Sequence, residues 1–416
     1  MRPLRRRPVD FVVSAIIVVA LAITATATWY FSSARRTTLS PAVTTPTTPA
    51  YPVQAPDRLV TKWTARSAAT RAPQVTDAVV LTGHDGVVQA RDPGSGRSLW
   101  RYERELPLCG LLAAWWPTTP TALAAYRNAR GCGEVTAIAA DRGIRRATRS
   151  SDADGSVTLQ SDGGYALSIG PQRLETWGSN LVRGIEYGRV AARFKPEVAP
   201  REGISCRLMS GMTAGDRVAI VEHCDGDTGY RLTVLGAVLN KDEKITQHGS
   251  SVITSGTAFA PPVVVAMSET GIAVYDGGAN APAPASAAIR TFDVDGADTG
   301  RHPVLGGEGL PASSAPVSDE GLTSVWTGQA TVVLDAETMR PRFAVPGTRG
   351  PAVAVGGQML VPTGAGYLVV DAATGRRERE MPVPRNPGPA DAAIVPAVIG
   401  EQIIEQHGAM ITAYGP

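Results

Sequence analysis

The chain has 416 residues, of which 43% are apolar and 19% are charged, and this balance excludes an intrinsically disordered protein. Its formal net charge is +2, but residues 1–36 contain six Arg and one Asp, a net of +5, which leaves −3 for residues 37–416. The main part of the chain therefore has no excess of basic charge, and this argues against nucleic acid as a partner.

The N-terminus predicts a membrane-inserted segment. Residues 1–10 form a basic tail, and residues 11–31 are an uncharged, apolar stretch about as long as a helix that crosses a bilayer. Because four Arg precede this stretch and two follow it, we expect a single-pass protein of the cell membrane with its N-terminus in the cytoplasm. A signal peptide cleaved after Ala25-Thr26-Ala27 is the alternative. Both interpretations place the remainder outside the cytoplasm.

Residues 32–58 predict a linker. Residues 37–56 are rich in Thr and Pro, carry no charge and cannot form a hydrophobic face. Such a composition favours an extended spacer with polyproline II character. We therefore expect this segment to hold the folded domain away from the membrane.

The four cysteines predict two disulfides. The separation is 23 residues between Cys109 and Cys132 and 18 residues between Cys206 and Cys224, each about the length of two strands and their turn. An oxidising exterior favours disulfides, and four cysteines allow three pairings. We expect Cys109–Cys132 and Cys206–Cys224, each joining neighbouring strands within one repeat. A metal site is disfavoured, since the chain has no C-x-x-C motif and no His pair at ligand spacing.

Residues 59–416 predict an all-β domain made of repeats. Short runs rich in Val, Ile, Leu, Thr and Tyr alternate with Gly, Asp and Asn turns. Residues 79–100, 324–343 and 359–379 share one order of strands and turns. A repeat of roughly 35–50 residues with four strands is typical of a β-propeller blade, which must pack against its neighbours in a ring.

The turn motif of these repeats resembles a known family. Residues 90–100 match the pattern A-x-D-x-x-T-G-x-x-x-W of quinoprotein-like (PQQ-like) propeller repeats. The resemblance implies that the Asp and the Ser or Thr fix the turn and that the Trp packs between blades; in two further copies Phe343 and Arg379 replace this Trp. The chain is similar overall to membrane-anchored PQQ-like propellers of actinobacteria and, more distantly, to the lipoprotein subunit of the outer-membrane β-barrel assembly machinery. The motif residues of this chain are Asp92, Ser95, Gly96, Trp100, Asp335, Thr338, Asp371, Thr374 and Gly375.

Counting the repeats predicts eight blades. The seven complete units are residues 73–104, 108–149, 154–198, 204–248, 252–305, 312–346 and 350–384. Residues 391–415 supply three more strands and residues 59–65 supply a lone strand. Joining these two segments completes an eighth blade and closes the ring, which removes the free sheet edges. Seven blades is the alternative, if the irregular unit 252–305 is not a blade.

The residues do not support the enzymatic activity that the fold resemblance implies. Quinoprotein dehydrogenases hold their quinone between a disulfide of adjacent cysteines and a Trp, beside a Ca²⁺ bound by Glu, Asn and Asp. No two cysteines are adjacent here, and no residue can be matched to those ligands. Acidic turns at residues 152–154, 225–227 and 293–298 lack the EF-hand spacing and suit tight hairpins. The sequence therefore predicts no catalytic, cofactor-binding or metal-ligating residue and no cofactor.

Function is predicted only as a class of protein. We expect a non-catalytic binding or scaffolding module of the cell envelope, attached to the membrane by its N-terminal helix, whose loops contact another envelope protein or a cell-wall component. Trp115 and Trp116 are adjacent, so one is expected inside the blade and the other outward; interblade packing is favoured over stacking on a sugar. The alternative function is an extracytoplasmic enzyme of the quinoprotein dehydrogenase or sugar-processing type.

Overall fold

The computed structural model describes residues 7–32, 35–189, 204–255, 260–278, 287–385 and 388–416. Its helix α1 (Pro8–Phe31) is long and apolar enough to cross a membrane, and its residues are exposed along its length. A signal sequence passes the same test of length and composition. The finding is therefore an N-terminal apolar helix that can serve as an anchor or as a signal.

The rest of the described chain is an eight-bladed β-propeller, as predicted. Each blade is a four-stranded antiparallel meander whose strands pair in chain order. Blade 1 contains β3 (Gln74–Val75), β4 (Val80–His84), β5 (Val87–Arg91) and β6 (Ser98–Glu103). Blade 2 contains β7 (Leu108–Ala114), β8 (Thr121–Asn128), β9 (Gly131–Ala139) and β10 (Arg145–Ser150). Blade 3 contains β11 (Thr158–Ser161), β12 (Ala166–Ile169), β13 (Arg173–Trp177) and β14 (Arg183–Gly188). Blade 4 contains β15 (Cys206–Ala214), β16 (Arg217–Cys224), β17 (Tyr230–Leu239) and β18 (Ile245–Ile253).

The second half of the ring repeats this arrangement. Blade 5 contains β19 (Val263–Met267), β20 (Gly271–Asp276), β21 (Ala288–Asp293) and β22 (Asp298–Pro303). Blade 6 contains β23 (Val317–Asp319), β24 (Leu322–Trp326), β25 (Ala330–Asp335) and β26 (Pro341–Pro346). Blade 7 contains β27 (Val353–Val355), β28 (Gln358–Pro362), β29 (Gly366–Asp371) and β30 (Arg377–Pro382). The irregular unit 252–305 thus holds a complete blade, which decides for eight blades over seven.

Blade 8 closes the ring with strands from both ends of the domain. It contains β31 (Ile394–Ile399), β32 (Gln402–His407) and β33 (Met410–Gly415), with β2 (Val60–Arg66) as its outermost strand. The strand β2 runs antiparallel to β33, with Val60 opposite Gly415 and Arg66 opposite Met410. The lone N-terminal strand therefore completes the C-terminal blade, as predicted.

The position of a strand in its blade explains its sequence pattern. Middle strands are covered on both sides by neighbouring blades, so β29 reads as a nearly continuous apolar run and five of its six residues are buried. Outer strands have one face in water, and the burial of β6 accordingly alternates. The core is a set of clusters between blades; one of them joins Val88 and Trp100 of blade 1 to Ala124 and Ile138 of blade 2.

The ring has two faces. The turn face carries the turns between the first and second strands and between the third and fourth strands of each blade. The connector face carries the turns between the second and third strands and the connections from blade to blade. The turns between first and second strands lie nearest the axis, because the first strand of each blade is the innermost.

The linker differs from the expected free spacer. Residues 38–58, called the strap, lie against the propeller: β1 (Thr38–Ser40) is a fifth strand at the outer edge of blade 1, antiparallel to β6. Further along, the backbone N–H of Ala42 donates to the carbonyl oxygen of Arg142 at 3.0 Å. The backbone groups of an extended Thr/Pro-rich segment carry these contacts, so a hydrophobic face is not needed for docking.

Candidate functional site

The motif aspartates fix the turns between third and fourth strands. Asp92 Oδ1 accepts hydrogen bonds from the backbone N–H and the hydroxyl of Ser95, both at 2.8 Å. Asp335 accepts the same pair from Thr338 at 2.7 and 2.9 Å. The Thr338 bonds, aided by the Arg342 guanidinium, lower the pKa of Asp335 to about 2. The Asp371–Thr374 pair has the same geometry, at 2.8 and 2.5 Å. These carboxylates hold backbone turns, and their bonding explains their place in the motif without a ligand.

The motif Trp wedges between blades over a turn glycine. The Trp100 indole N–H donates to the carbonyl oxygen of Ala140 at 2.7 Å, and a Cβ on Gly143 of blade 2 would lie 2.6 Å from the indole. Trp63, on the strand that closes blade 8, lies over Gly96 of blade 1 in the same way. Such contact requires glycine, which also accommodates the positive φ of these turns (+70°).

Where a repeat departs from the motif, the large residue stands at the Gly position and the small residue at the Trp position. Met339 stands where the motif has Gly, keeps the positive φ of that turn (+60°) and is 1% exposed. Its side chain packs back into blade 5, where Gly300 occupies the register position that Trp100 has in blade 1. Phe343 wedges over Gly375 at the next junction. The degenerate repeats thus keep one large and one small partner at these junctions.

Both predicted disulfides are present, at the connector-face ends of blades 2 and 4. Cys109 and Cys132 have a Cα–Cα distance of 6.0 Å, and Cys206 and Cys224 have one of 3.9 Å. The second bridge joins the neighbouring strands β15 and β16, as expected. The first joins β7 to β9, which are separated by β8 in the sheet, and the expectation of neighbouring strands was wrong there. Cys109 lies at a bulge in β7, where the pairing with β8 skips a residue.

Blade 4 brings a carboxylate close to its disulfide. The Cys206 and Cys224 sulfurs and a Glu222 oxygen lie within 4.8 Å of one another, the one such group of potential metal ligands in the described chain. The sulfurs are bonded to each other and are not thiolates, which a soft metal would need. The fully buried Glu222 carboxylate accepts hydrogen bonds from the Tyr187 hydroxyl at 3.0 Å and the Thr233 hydroxyl at 2.6 Å. In this state the group bonds blade 3 to blade 4.

A buried ion pair joins blades 7 and 8. The Arg385 Nε donates to both oxygens of Glu405, at 3.0 and 2.9 Å, and the two side chains are 8% and 3% exposed. The Tyr367 hydroxyl donates to the same carboxylate at 2.9 Å. Burial, then the charge of Glu405, raises the pKa of Tyr367 well above its ordinary value. This arrangement keeps the phenol neutral and the carboxylate bonded, which suits an interblade clamp.

A second charged cluster lies between blades 2 and 3. Glu175 is 4% exposed and accepts hydrogen bonds from Arg173 at 2.8 Å and from the Trp177 indole at 2.8 Å. Burial alone would raise the pKa of Glu175, but Arg149, the Trp177 bond and Arg173 outweigh it and the pKa is lowered. The ionised carboxylate is surrounded by donors. It is therefore held as a structural anion and is poorly placed to take up a proton as a base.

Aspartates of two of the acidic turns accept hydrogen bonds from backbone N–H groups. Asp154 accepts from the backbone N–H groups of Gln172 and Arg173 at 2.9 and 3.0 Å. Asp293 accepts from the N–H of Asp295 at 3.0 Å, as turn aspartates do. The Asp293 geometry favours the hairpin interpretation of the sequence, whereas Asp154 lies in the connection from blade 2 to blade 3 and bonds a turn of blade 3.

The turn face presents aromatic side chains beside carboxylates, near the axis. Trp115 is 2% exposed and Trp116 is 46% exposed, so one tryptophan is inside and the other outward, as the sequence predicted. The Trp116 indole N–H donates to Asp77 of blade 1 at 2.9 Å. Tyr51 of the strap is 51% exposed, and burial followed by the charges of Asp77 and Asp319 raises its pKa. We call Tyr51, Asp77, Trp116 and Asp319 the mouth residues.

Comparisons with known proteins identify the fold alone. No protein-family model matches the sequence, and no curated protein matches it. The structure is similar to quinohemoprotein alcohol dehydrogenase ADHIIG from Pseudomonas putida HK5, with a TM-score of 0.51 and 12% identity over 88% of this chain and 78% of that chain. It is also similar to a europium-containing methanol dehydrogenase, with a TM-score of 0.52 and 10% identity over 88% of this chain and 94% of that chain. The WD40 domain of Neurospora crassa Pan2 matches at a TM-score of 0.44 and 9% identity, over 74% of this chain and 89% of that chain.

Several of these groups were missed from the sequence. The buried carboxylates Glu175, Glu222 and Glu405 occupy strand positions. The partners of Glu222 and Glu405 come from other strands, other blades or a loop, and Glu175 also bonds Arg173 and Trp177 of its own strand. One signal was available: each lies within or next to an apolar run, where an unpaired carboxylate would be costly. A buried basic or hydroxyl partner could therefore have been expected, but not identified.

Proposed function

We propose that this chain is an extracytoplasmic binding module, anchored by α1, that holds a partner on the turn face of its propeller. The partner class is an envelope protein or a cell-wall component. The resemblance to membrane-anchored PQQ-like propellers of actinobacteria supports this location, as do two disulfides in the folded part.

One observation carries the proposal: Trp116 and Tyr51 stay about half exposed around Asp77, near the axis of the turn face. Exposed aromatic side chains flanked by polar groups are typical of protein–protein and ligand contacts. The position of Trp116 is fixed by its hydrogen bond to Asp77 and by the turns between strands that carry these two residues, which gives a rigid contact point. The buried carboxylates described above are, in contrast, bonded within the blades.

The test uses the full-length protein in its native host, with a peroxidase fused after Pro416 and with biotin-phenol and hydrogen peroxide added as the labelling reagents. We expect reproducible labelling of an envelope partner by the unchanged protein and loss of that labelling in Trp116→Ala. Ile144→Ala is the matched control, since Ile144 lies on a turn-face turn of the same blade and is 49% exposed. Equal labelling by both variants, or no reproducible envelope partner, would refute the proposal.

A quinone-dependent dehydrogenase is the second candidate, and the fold likeness to two dehydrogenases favours it. Purified full-length protein in detergent would be mixed with pyrroloquinoline quinone and Ca²⁺, and dye reduction would be followed with alcohols and sugars. We expect no turnover above the protein-free control. Saturable turnover that requires the protein would establish the enzyme and overturn a purely non-catalytic role.

A further inference from the structure

The linker contains two parts with different roles. Residues 32–37 form a tether between the end of α1 at Phe31 and the start of β1 at Thr38. Six residues span at most about 20–25 Å. Thr38 lies opposite Glu103, at the connector-face end of β6, so the chain reaches the propeller at that end of blade 1. While the strap is docked, the distance from the end of α1 to this part of the propeller cannot exceed about one tether length.

The strap is then held at several points along the turn face. A Cβ on Gly400 of blade 8 would lie 2.6 Å from Pro49, and a Cβ on Gly356 of blade 7 would lie 1.9 Å from the carbonyl oxygen of Val53. Both glycines lie in turns between first and second strands, close to the axis. The strap therefore crosses blades 8 and 7 where a glycine in each turn leaves room for it.

Blade 7 also binds the end of the strap through polar groups. The Arg379 guanidinium donates to the carbonyl oxygens of Ala55 and Pro56 at 2.8 and 2.9 Å. The backbone N–H of Ala55 donates to the Gln358 side chain at 3.1 Å, and Ala55 is 7% exposed. Arg379 takes the place of the motif Trp in this blade. The repeat therefore departs from the motif at the position whose side chain binds the strap.

This attachment is weak for its length. Val43 is 99% exposed and Val53 is 84% exposed, so little apolar area holds the strap. The strand β1 adds only three residues of pairing. Segments with few buried apolar groups and exposed backbone hydrogen bonds open at low free energy, without unfolding of the core.

We propose that the strap is a stowed spacer that controls how far the propeller reaches from the membrane surface. Docked, it leaves only the tether and keeps the connector-face edge of blade 1 close to the lipid headgroups around α1. Released, it adds residues 38–58 to the tether, and an extended chain of residues 32–58 reaches about 85 Å. Release also removes Tyr51 from the mouth residues, so the partner surface changes with the height. The inference rests on the proposed function in one respect, the retention of α1 as an anchor.

The experiment reconstitutes full-length protein into vesicles of phosphatidylethanolamine and phosphatidylglycerol that contain an acceptor-labelled lipid. A donor dye is attached at Ser179→Cys, an exposed turn residue of blade 3, and energy transfer reports the height. Limited digestion with neutrophil elastase, which cleaves after Val, is followed at the Val53–Gln54 bond and reports whether the strap is docked. Gly356→Ala is the releasing variant. Gly357→Ala is the matched control, because it lies in the same turn, also has a positive φ (+79° against +54°) and has no atom within 4 Å of its added Cβ.

We expect Gly356→Ala to raise cleavage at Val53 by about ten-fold or more, as for a shifted opening equilibrium, and to lower energy transfer, while Gly357→Ala matches the unchanged protein. A second variant, with ten Gly/Ser residues inserted between Arg36 and Thr37, should lower energy transfer and leave cleavage unchanged. The docking would be refuted if the unchanged protein were cleaved as fast as Gly356→Ala, or if the two glycine variants behaved alike. The height control would be refuted if the insertion left energy transfer unaltered.

Intact mass of membrane-extracted protein separates the two proposals: loss of residues 1–27 would refute the anchor and the height control, whereas the cleavage assay would still test docking.

Discussion

The interblade Trp100 offers the sharpest test of how the ring is held together. Its side chain is 1% exposed and its indole N–H bonds the carbonyl oxygen of Ala140 in the next blade. Trp100→Ala removes a large buried ring, for which the free energy of unfolding falls by about 3–5 kcal/mol. It also leaves a buried carbonyl without its donor, at about 1–3 kcal/mol, although the two costs overlap. The cavity cannot fill from blade 2, because Gly143 has no side chain to move into it.

The assay is urea unfolding followed by tryptophan fluorescence and circular dichroism. A loss of about 4 kcal/mol, with a denaturant slope of about 3 kcal/mol per molar, lowers the urea midpoint by more than about 1 M. The control is Trp116→Ala, since Trp116 is 46% exposed and its removal should change stability by less than about 1 kcal/mol. Similar midpoints for the two variants would refute the role assigned to the interblade wedge.

Three further predictions follow from the same contacts. Glu405→Gln should lower the free energy of unfolding by about 3–5 kcal/mol, because it leaves the Arg385 charge buried and unpaired. The double variant with Arg385→Met should lose less stability than Glu405→Gln alone. Additive losses of the two substitutions in a double-mutant cycle would contradict the pairing. The pKa of Asp335 is held at about 2, so its contribution to stability is present above the ordinary carboxyl pKa and is lost as the pH falls through 2. Asp335→Asn should therefore reduce the drop in urea midpoint between about pH 4 and pH 2. An unchanged drop would contradict this role of the Asp335 carboxylate. Met339→Gly should destabilise the ring by about 2–4 kcal/mol, because the neighbouring Gly271 of blade 5 has no side chain to fill the gap. A gain in melting temperature would show that relief of the positive φ outweighs packing.

The fold was predictable because the repeats keep their turn chemistry. The spacing from Asp335 to Asp371 gave the size of a blade, and the glycine-rich turns separated short apolar runs. Ring closure was predictable because three C-terminal strands and one N-terminal strand were otherwise unpaired. These signals are local, and each is carried by residues that are close in the chain.

The docked strap could not be predicted, since its contacts are long-range and mostly involve backbone. Nothing in the composition of residues 37–56 shows that Gly356 and Gly400 leave room for it. The clamp of Arg385 on Glu405 was also missed, because a charged residue in a loop and another in a strand carry no local sign of their pairing. One of the adjacent Trp115 and Trp116 was expected to face outward, but the sequence did not say which. The bond of Trp116 to Asp77 joins two blades and is visible only in the structure.

The most direct test of the proposed function replaces Trp116 with a photo-crosslinking amino acid in the full-length protein and irradiates living cells of the native host. A discrete crosslink to one envelope protein or wall component is predicted from this position and not from the same replacement at Ile144. The absence of any crosslink specific to Trp116, with the protein present at its normal level in the membrane fraction, would contradict the assignment of the turn face as the binding surface.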